Sequence, residues 1–529
     1  MKVMNMKKQI SRTQLLLAAM VALALLLTPA AFAAAPGITG TTFNLVASPS
    51  YITQPDGSFV YSWGYGCDGA PSGFAPSAIT NAACGTMQIP GPTLIITAPA
   101  SGTINVSVKL TNSLPIAAGN TSILFPGFNV TTSGGAPGLL TQEAAPGTSV
   151  TYTLAIPSTA AGTHAYYSGT QGDLQVEMGL YGAIVVLPNS ANIPSSCAGG
   201  IHSTNAQAQT HWGESDFRLA AAAYNHPSSC YDREYLFQFS EMDPRIHREA
   251  EQQSTRTCTD CMNVATEPYV PAYYLINGRS MPDLMDPNYA VQYPHQPYNG
   301  NPHMHPGELT LLRVIGQGRW QHPFHEHGNH VRILARDGNL ILSQNDPNSL
   351  AGPLLFTTTT TPGLAMDGIY YWTGKGLNWD PYGHNPASAD PLAKLICTPD
   401  ANGYNTGDPA AINYFEWCQD HNKPLQTAPF GDVASGGPAT LPDPNILVNG
   451  TWFGGSPYLG PNATVRAVGS TGTTPPSGTI GNSPTDEAGF AFMWHSHNER
   501  EVTTSNIFPG GVLMMMLVDS REFVINESN

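Results

Sequence analysis

The sequence predicts an all-β fold of sandwich or barrel type with long surface loops, and three observations carry that prediction. Charged residues make up only 11% of the chain, against 53 glycines and 46 prolines, so turn-formers abound where helix-formers are few. Several short segments alternate apolar and polar residues at period two, the pattern of a half-buried strand. Turns rich in Gly and Pro separate them, as in sandwiches and barrels.

The N-terminus reads as a signal segment over residues 1–33. Lys2, Lys7, Lys8 and Arg12 give a basic start, residues 15–27 are an apolar run, and Ala31, Phe32 and Ala33 offer a small-x-small cleavage site. The run is too short to span a bilayer as a helix, and no other stretch is long and apolar enough to do so. An exported protein without a membrane span is expected, in the periplasm, at the cell surface or outside the cell. Removing the segment takes away four positive charges and no negative one, moving the formal net charge from −16 to −20. That balance argues against nucleic acid or anionic lipid as partners.

Strands are expected where Ile104, Val106, Val108 and Leu110 alternate with polar residues, and again at Val150, Tyr152, Leu154 and Ile156. Residues 182–187 read as a buried strand closed by Pro188. These define a first domain at about 36–190, followed by a polar connector over 191–230. The second domain, 231–529, opens with a strand at 234–239. Asp243 as N-cap and Pro244 at the first helical position then start a short helix through His247 to Glu251. Further strands are expected at 308–315, 330–335, around Phe490, Phe492 and Trp494, and at 512–518. Asp337 and Gly338 mark a strand-end turn. Residues 340–488, rich in Gly, Pro, Thr and Asn, read as long insertions, with one block of low complexity at 357–361.

Eight cysteines in an oxidising compartment favour disulfides. Sequence neighbours suggest Cys67–Cys84, Cys197–Cys230 and Cys397–Cys418, although spacing cannot fix connectivity. Cys258 and Cys261 have redox or zinc spacing, but no second pair or adjacent histidine supports it, so a loop disulfide is preferred.

The chemistry lies in the histidines. Of sixteen, His322, His325 and His327 fall within six residues, and His495 and His497 sit at a strand end. Residues two apart on a strand share a face, so each cluster can present a pair of imidazoles. Four neutral nitrogen donors suit copper or zinc rather than magnesium or calcium. Ordinary surface histidines would not be expected to fall into two such pairs.

These residues also carry a resemblance. Residues 322–328, His-Pro-Phe-His-Glu-His-Gly, resemble the HPxHxHG motif of multicopper oxidases, and 494–497, Trp-His-Ser-His, resemble that family's HCH motif. Residues 90–93, Pro-Gly-Pro-Thr, resemble its entry strand, and 162–169 with 178–182 resemble the segment reading GT-x-WYHSH…GLYG. The resemblance implies two cupredoxin-like Greek-key β-sandwich or barrel domains, long loop insertions in the second, and copper as cofactor. It also implies that the pattern is incomplete. No histidine stands at 123–127, Tyr167 and Gly169 occupy two ligand positions, and Ser496 replaces the type 1 thiolate. Glu501 replaces the following histidine, and Val512 or Leu513 the axial ligand. Metal ligands are therefore expected at His325, His327, His495 and His497, with His322 a former type 1 ligand, and fewer than four coppers. Glu501 is a candidate replacement ligand.

Without a thiolate there is no strong Cu–S bond and no blue centre. Three readings follow: a copper-dependent oxidoreductase acting on a small organic or metal-ion substrate; a non-catalytic copper storage or delivery protein; or an extracellular scaffold working through the 340–488 insertions. Two-domain relatives often share copper between subunits, so a homo-oligomer is a further expectation of the resemblance. Among smaller signals, His303 and His305 could add two donors, with a solvated loop the preferred reading. Met514 to Met516 read as core packing. Alternation aims Glu326 away from the metal.

Overall fold

A computed structural model describes residues 35–77, 79, 81–197, 210–214, 216–375, 389–392, 398–419, 455–459, 480–481 and 489–525. The signal segment, Cys397 and most of the 340–488 insertions lie outside the described residues.

The first group of strands forms two five-stranded sheets. One runs, in spatial order, Gly162–Tyr167, Tyr181–Leu187, Leu94–Thr97, Gly37–Thr39 and Phe74–Ala75; the other runs Phe59–Cys67, Thr42–Thr53, Thr103–Asn112, Ser149–Pro157 and Asn129–Gly134. The strands expected at 104–110, 150–156 and 182–187 lie within these. Ser149–Pro157 buries every second residue, as period-two alternation requires. Leu94, Ile184 and Tyr166 from one sheet meet Val106, Val108, Tyr152 and Leu154 from the other in a single core, the face-to-face packing of a sandwich.

The second group repeats the arrangement with two seven-stranded sheets. One contains Tyr273–Ile276, Arg233–Met242, Thr310–Gly316, Ala365–Tyr370 and Val331–Arg336; the other contains His303–Met304, Leu513–Asp519, Gly489–Ser496, Pro323–Glu326 and Thr357–Thr359. Phe237, Phe239, Leu312, Val314 and Tyr370 face Phe324, Phe490, Phe492, Trp494, Met514 and Met516 across this core. Met514 and Met516 are thus packing residues, whereas Met515 faces the other way and is half-buried. The fold is all-β, two sandwiches of face-to-face sheets. Asp337 and Gly338, with φ of 46° and 72°, turn the chain between Val331–Arg336 and Asn339–Leu340, which pair antiparallel. Residues 357–361, read as low complexity, contribute the strand Thr357–Thr359.

The helix Pro244–Gln253 begins as expected, with the Asp243 side chain accepting from the Arg245 amide. It ends two residues beyond Glu251 and inserts Ile246 and Ala250 into the first core, although it follows the opening strand of the second. Disulfides join Cys67–Cys84, Cys197–Cys230 and Cys258–Cys261. Cys418 is also disulfide-bonded.

Between the sandwiches lies a buried polar seam. The Arg313 guanidinium donates to Glu234 Oε2 at 2.9 Å and to Thr163 Oγ1 at 3.0 Å, and Thr163 donates to Asp367 Oδ1 at 2.6 Å. Burial alone would discharge Arg313, but Glu234 and Asp367 hold it charged, its pKa above the ordinary value. Arg313→Met leaves two carboxylates buried without their cation, a loss of about 3–5 kcal/mol where a buried pair is broken from one side. The expected result is a lower denaturant midpoint, measured by chemical unfolding; an unchanged midpoint would mean that the seam contributes nothing net.

Candidate metal centre

The two histidine pairs meet because their strands are neighbours. Pro323–Glu326 lies between Thr357–Thr359 and Gly489–Ser496, in a register that sets His325 opposite His495, Phe324 opposite Ser496 and Glu326 opposite Trp494. Phe324 and Trp494 turn into the core while the histidines turn the other way. Just past the strand ends, His497 donates its amide to Pro323 O at 2.8 Å. His325 has ring centroids 4.8, 5.6 and 5.0 Å from those of His327, His495 and His497, and the His327–His495 separation is 5.1 Å.

Two of the rings are held from behind. His325 Nδ1 is 2.7 Å from Thr357 Oγ1, and His495 Nδ1 is 2.7 Å from Ser496 O. A carbonyl can only accept, so His495 Nδ1 carries the proton and Nε2 presents its lone pair, the arrangement a ligating imidazole needs. His327 is fixed through its carbonyl, which accepts from Trp494 Nε1 at 2.9 Å and Tyr370 hydroxyl at 3.1 Å. The motif glycine has a steric reason: Gly328 has a φ of +98°, and a Cβ there would meet the Tyr370 hydroxyl at 2.3 Å.

Among the described residues, no group of three or more His, Cys, Asp or Glu side chains is already arranged to hold a metal ion. The donors nevertheless fit one. His327 Nε2 and His495 Nε2 are 3.4 Å apart, close to the roughly 3.3 Å that two imidazole nitrogens at 2.0–2.1 Å from one tetrahedral ion require. Burial, then the neighbouring rings His327, His495 and His497, lowers His325 to about 4; burial also lowers His495. Neutral imidazole, the ligating form, therefore prevails at these two rings at neutral pH. His325 is buried and His497 exposed, so the cluster reaches the surface at one end, beside the half-exposed Phe356, 5.6 Å from His325 ring to ring.

The other candidates have different partners. His322 is buried between two carboxylates, Nδ1 at 2.8 Å from Glu501 Oε2 and Nε2 at 3.0 Å from Glu241 Oε2. Both ring nitrogens therefore face acids rather than the four-ring cluster. Glu501 also accepts from Ser496 Oγ at 2.6 Å and Asn498 Nδ2 at 3.0 Å. The residues at the positions the resemblance would give to type 1 ligands, His322, Ser496 and Glu501, thus bond to one another. The first sandwich has a counterpart that the sequence did not disclose: Ser168 and Thr121 hydroxyls both donate to Gln175 Oε1, at 2.7 and 2.8 Å. Residues 303–305 are neither a solvated loop nor a second donor pair. His303 Nδ1 meets Asp519 Oδ2 at 2.7 Å and His305 Nε2 meets Glu214 Oε2 at 2.8 Å, both rings buried. Glu326 turns away from the cluster to Thr358, and burial raises it to about 8.

Burial alone would lower His322, but the hydrogen bonds to Glu241 and Glu501 overturn that and raise it to about 9. A histidine pKa raised on folding stabilises the protein fully below its unfolded value near 6.5, and that contribution is lost as pH rises through about 9. The stability gap between wild type and His322→Gln should therefore be widest near pH 6 and shrink on approaching pH 10, measured by denaturant titration. A gap independent of pH would refute the buried imidazolium.

Residues 78–191 match the family model described as Multicopper oxidase, which places the match in the first sandwich, before the histidine cluster. Comparison with curated proteins gives no match. Among solved structures, the multicopper oxidase mgLAC aligns at 13% identity and TM-score 0.43, over 90% of this chain and 86% of that one. The blue copper oxidase of Nitrosomonas europaea aligns at 14% and 0.43, over 90% and 85%. A copper nitrite reductase of Nitrosomonas europaea aligns at 16% and 0.37, over 63% and 85%.

Proposed function

We propose that this chain is an exported copper-binding protein that holds one or two coppers on His325, His327, His495 and His497 and acts as an oxidoreductase without a type 1 centre. The observation that carries the reading is the convergence of four imidazoles, with two Nε2 atoms at 3.4 Å. Such donors suit copper, which outranks zinc in affinity for nitrogen sites. Bound copper supplies a one-electron acceptor and donor. Thr357 and the Ser496 carbonyl orient the rings, and the exposed His497 with Phe356 forms the rim at which a small organic or metal-ion substrate would approach. Export is supported by the N-terminal segment read as a signal and by the disulfides of the described residues, which persist in oxidising compartments.

One observation favours a second reading, copper binding without turnover. Ser496, at the thiolate position, bonds to Glu501, so no sulfur ligand links the surface to the cluster.

Copper-loaded, desalted protein should retain about one or two coppers per chain without a blue band, and His325→Ala/His497→Ala should lose them, measured by elemental analysis. Retention of copper by the variant would refute the site. Oxygen uptake with a phenolic reductant then separates the readings: uptake supports turnover, and its absence with copper bound supports storage.

A further inference from the structure

We propose that Tyr269 is a one-electron relay between the protein surface and the histidine cluster, with Glu177 as acceptor of its phenolic proton; this rests on the reading that the cluster holds copper. Tyr269 is partly exposed, and its hydroxyl donates to Glu177 Oε2 at 2.6 Å and lies 3.3 Å from Glu241 Oε1. Its ring meets Trp320 edge-on at 5.6 Å, with the Arg319 guanidinium over its face at 4.2 Å.

From Tyr269 a path of hydrogen bonds, with one covalent link through Ser496, leads inward. Glu241 Oε1 accepts from the Trp320 amide at 2.9 Å, and Oε2 meets His322 Nε2 at 3.0 Å. His322 Nδ1 reaches Glu501 at 2.8 Å, Glu501 accepts from Ser496 at 2.6 Å, and Ser496 O accepts from His495 Nδ1 at 2.7 Å. Trp320 also stands on the segment that continues through His322 into Pro323–Glu326. Other tyrosines pair with carboxylates but lead elsewhere. Asp367, bonded to Tyr224, turns to Thr163, and Asp286, bonded to Tyr293, turns to Gln292.

The chemistry follows from the environment. Burial, then Glu177 and Glu241, raises the Tyr269 phenol, so it is neutral at physiological pH. Removing an electron alone would leave a cationic ring in a poorly solvated site, which is costly; a carboxylate at 2.6 Å removes that cost by taking the proton. In the step, the Tyr269 O–H bond breaks, the proton passes to Glu177 Oε2, and the electron leaves toward the histidine cluster, where bound copper(II) would be the one-electron oxidant. The neutral phenoxyl then takes an electron from an electron-rich phenol at the surface, whose own phenolic proton is released to solvent, while Glu177 returns its proton to the Tyr269 oxygen.

Two measurements test this. In metal-free protein oxidised by a photogenerated ruthenium(III) polypyridyl, the wild type should give a phenoxyl EPR signal that Tyr269→Phe largely loses and Glu177→Gln slows; an undiminished signal in Tyr269→Phe overturns the proposal. In copper-loaded protein reduced anaerobically by hydroquinone, the decay of the copper(II) EPR signal should slow in Tyr269→Phe at unchanged copper content. If the wild type binds no copper, the relay and the metal reading fall together. If copper binds and Tyr269→Phe decays at the wild-type rate, the relay alone falls.

Discussion

The candidate centre depends on one strand pairing, that of Pro323–Glu326 with Gly489–Ser496. These segments are far apart in sequence, and the residues between them include the longest insertions of the chain. Because side chains alternate along a strand, a slip by one residue would carry His325 into the core and expose its neighbours. Phe324 and Trp494 prevent that slip, both fully buried and edge-to-face at 6.0 Å. Trp494 Nε1 also bonds to His327 O, so the residue that fixes register by packing fixes the third imidazole by hydrogen bonding. The candidate ligands are thus positioned by the hydrophobic core directly beneath them.

A second constraint is electrostatic. His322, Glu241 and Glu501 are all buried, where an isolated charge would be prohibitively costly. The imidazolium between two carboxylates resolves this only as a unit, since each partner satisfies the others and removal of one leaves an orphan. Ser496 belongs to the same unit through its hydroxyl, and the first sandwich has a neutral equivalent around Gln175. In the second sandwich the knot occupies the positions where the resemblance would put sulfur and imidazole, and in the first it includes Ser168, between the two positions at Tyr167 and Gly169 where the resemblance would put imidazoles. That is a different solution to the same problem of keeping polar groups satisfied inside a sandwich.

Local patterns in the sequence located what local physics determines. Period-two alternation found Ser149–Pro157, turn chemistry found Asp337 and Gly338, and capping preference found the start of Pro244–Gln253. The two histidine pairs were legible for the same reason, since i and i+2 share a strand face. What stayed hidden depends on distant partners. Nothing near His303 or His305 announces Asp519 or Glu214, and nothing near His322 announces Glu241, eighty-one residues earlier. Buried ion pairs are formed by tertiary proximity, so a polar residue in sequence reads as exposed or as a ligand until its partner is known. The helix Pro244–Gln253 is another case, its cap legible and its choice of core not.

The domain that matches the family model has no histidine at the two positions the resemblance would give to ligands, and the packing at those positions is closed. Tyr167, at one of those positions, is tied to the backbone of Leu124, each donating an amide to the other's carbonyl. Gly169, at the other, has no room: a Cβ there would come within 2.7 Å of Leu124 Cγ, closer than side chains tolerate. Restoring an imidazole at 169 would require moving Leu124, a segment held by that same pairing. The first sandwich instead serves the second mechanically. Thr163 completes the Arg313 seam, Tyr181 bonds to Ser240 at 2.7 Å, and Glu177 accepts from the Asp243 amide where the helix begins. Each contact lands on the sheet of the second sandwich that contains Arg233–Met242, or at the end of that strand, across the core from the histidine strands. A rigid sheet there holds Phe237 and Phe239 against Phe324, and Phe324 sets the register on which the four imidazoles depend.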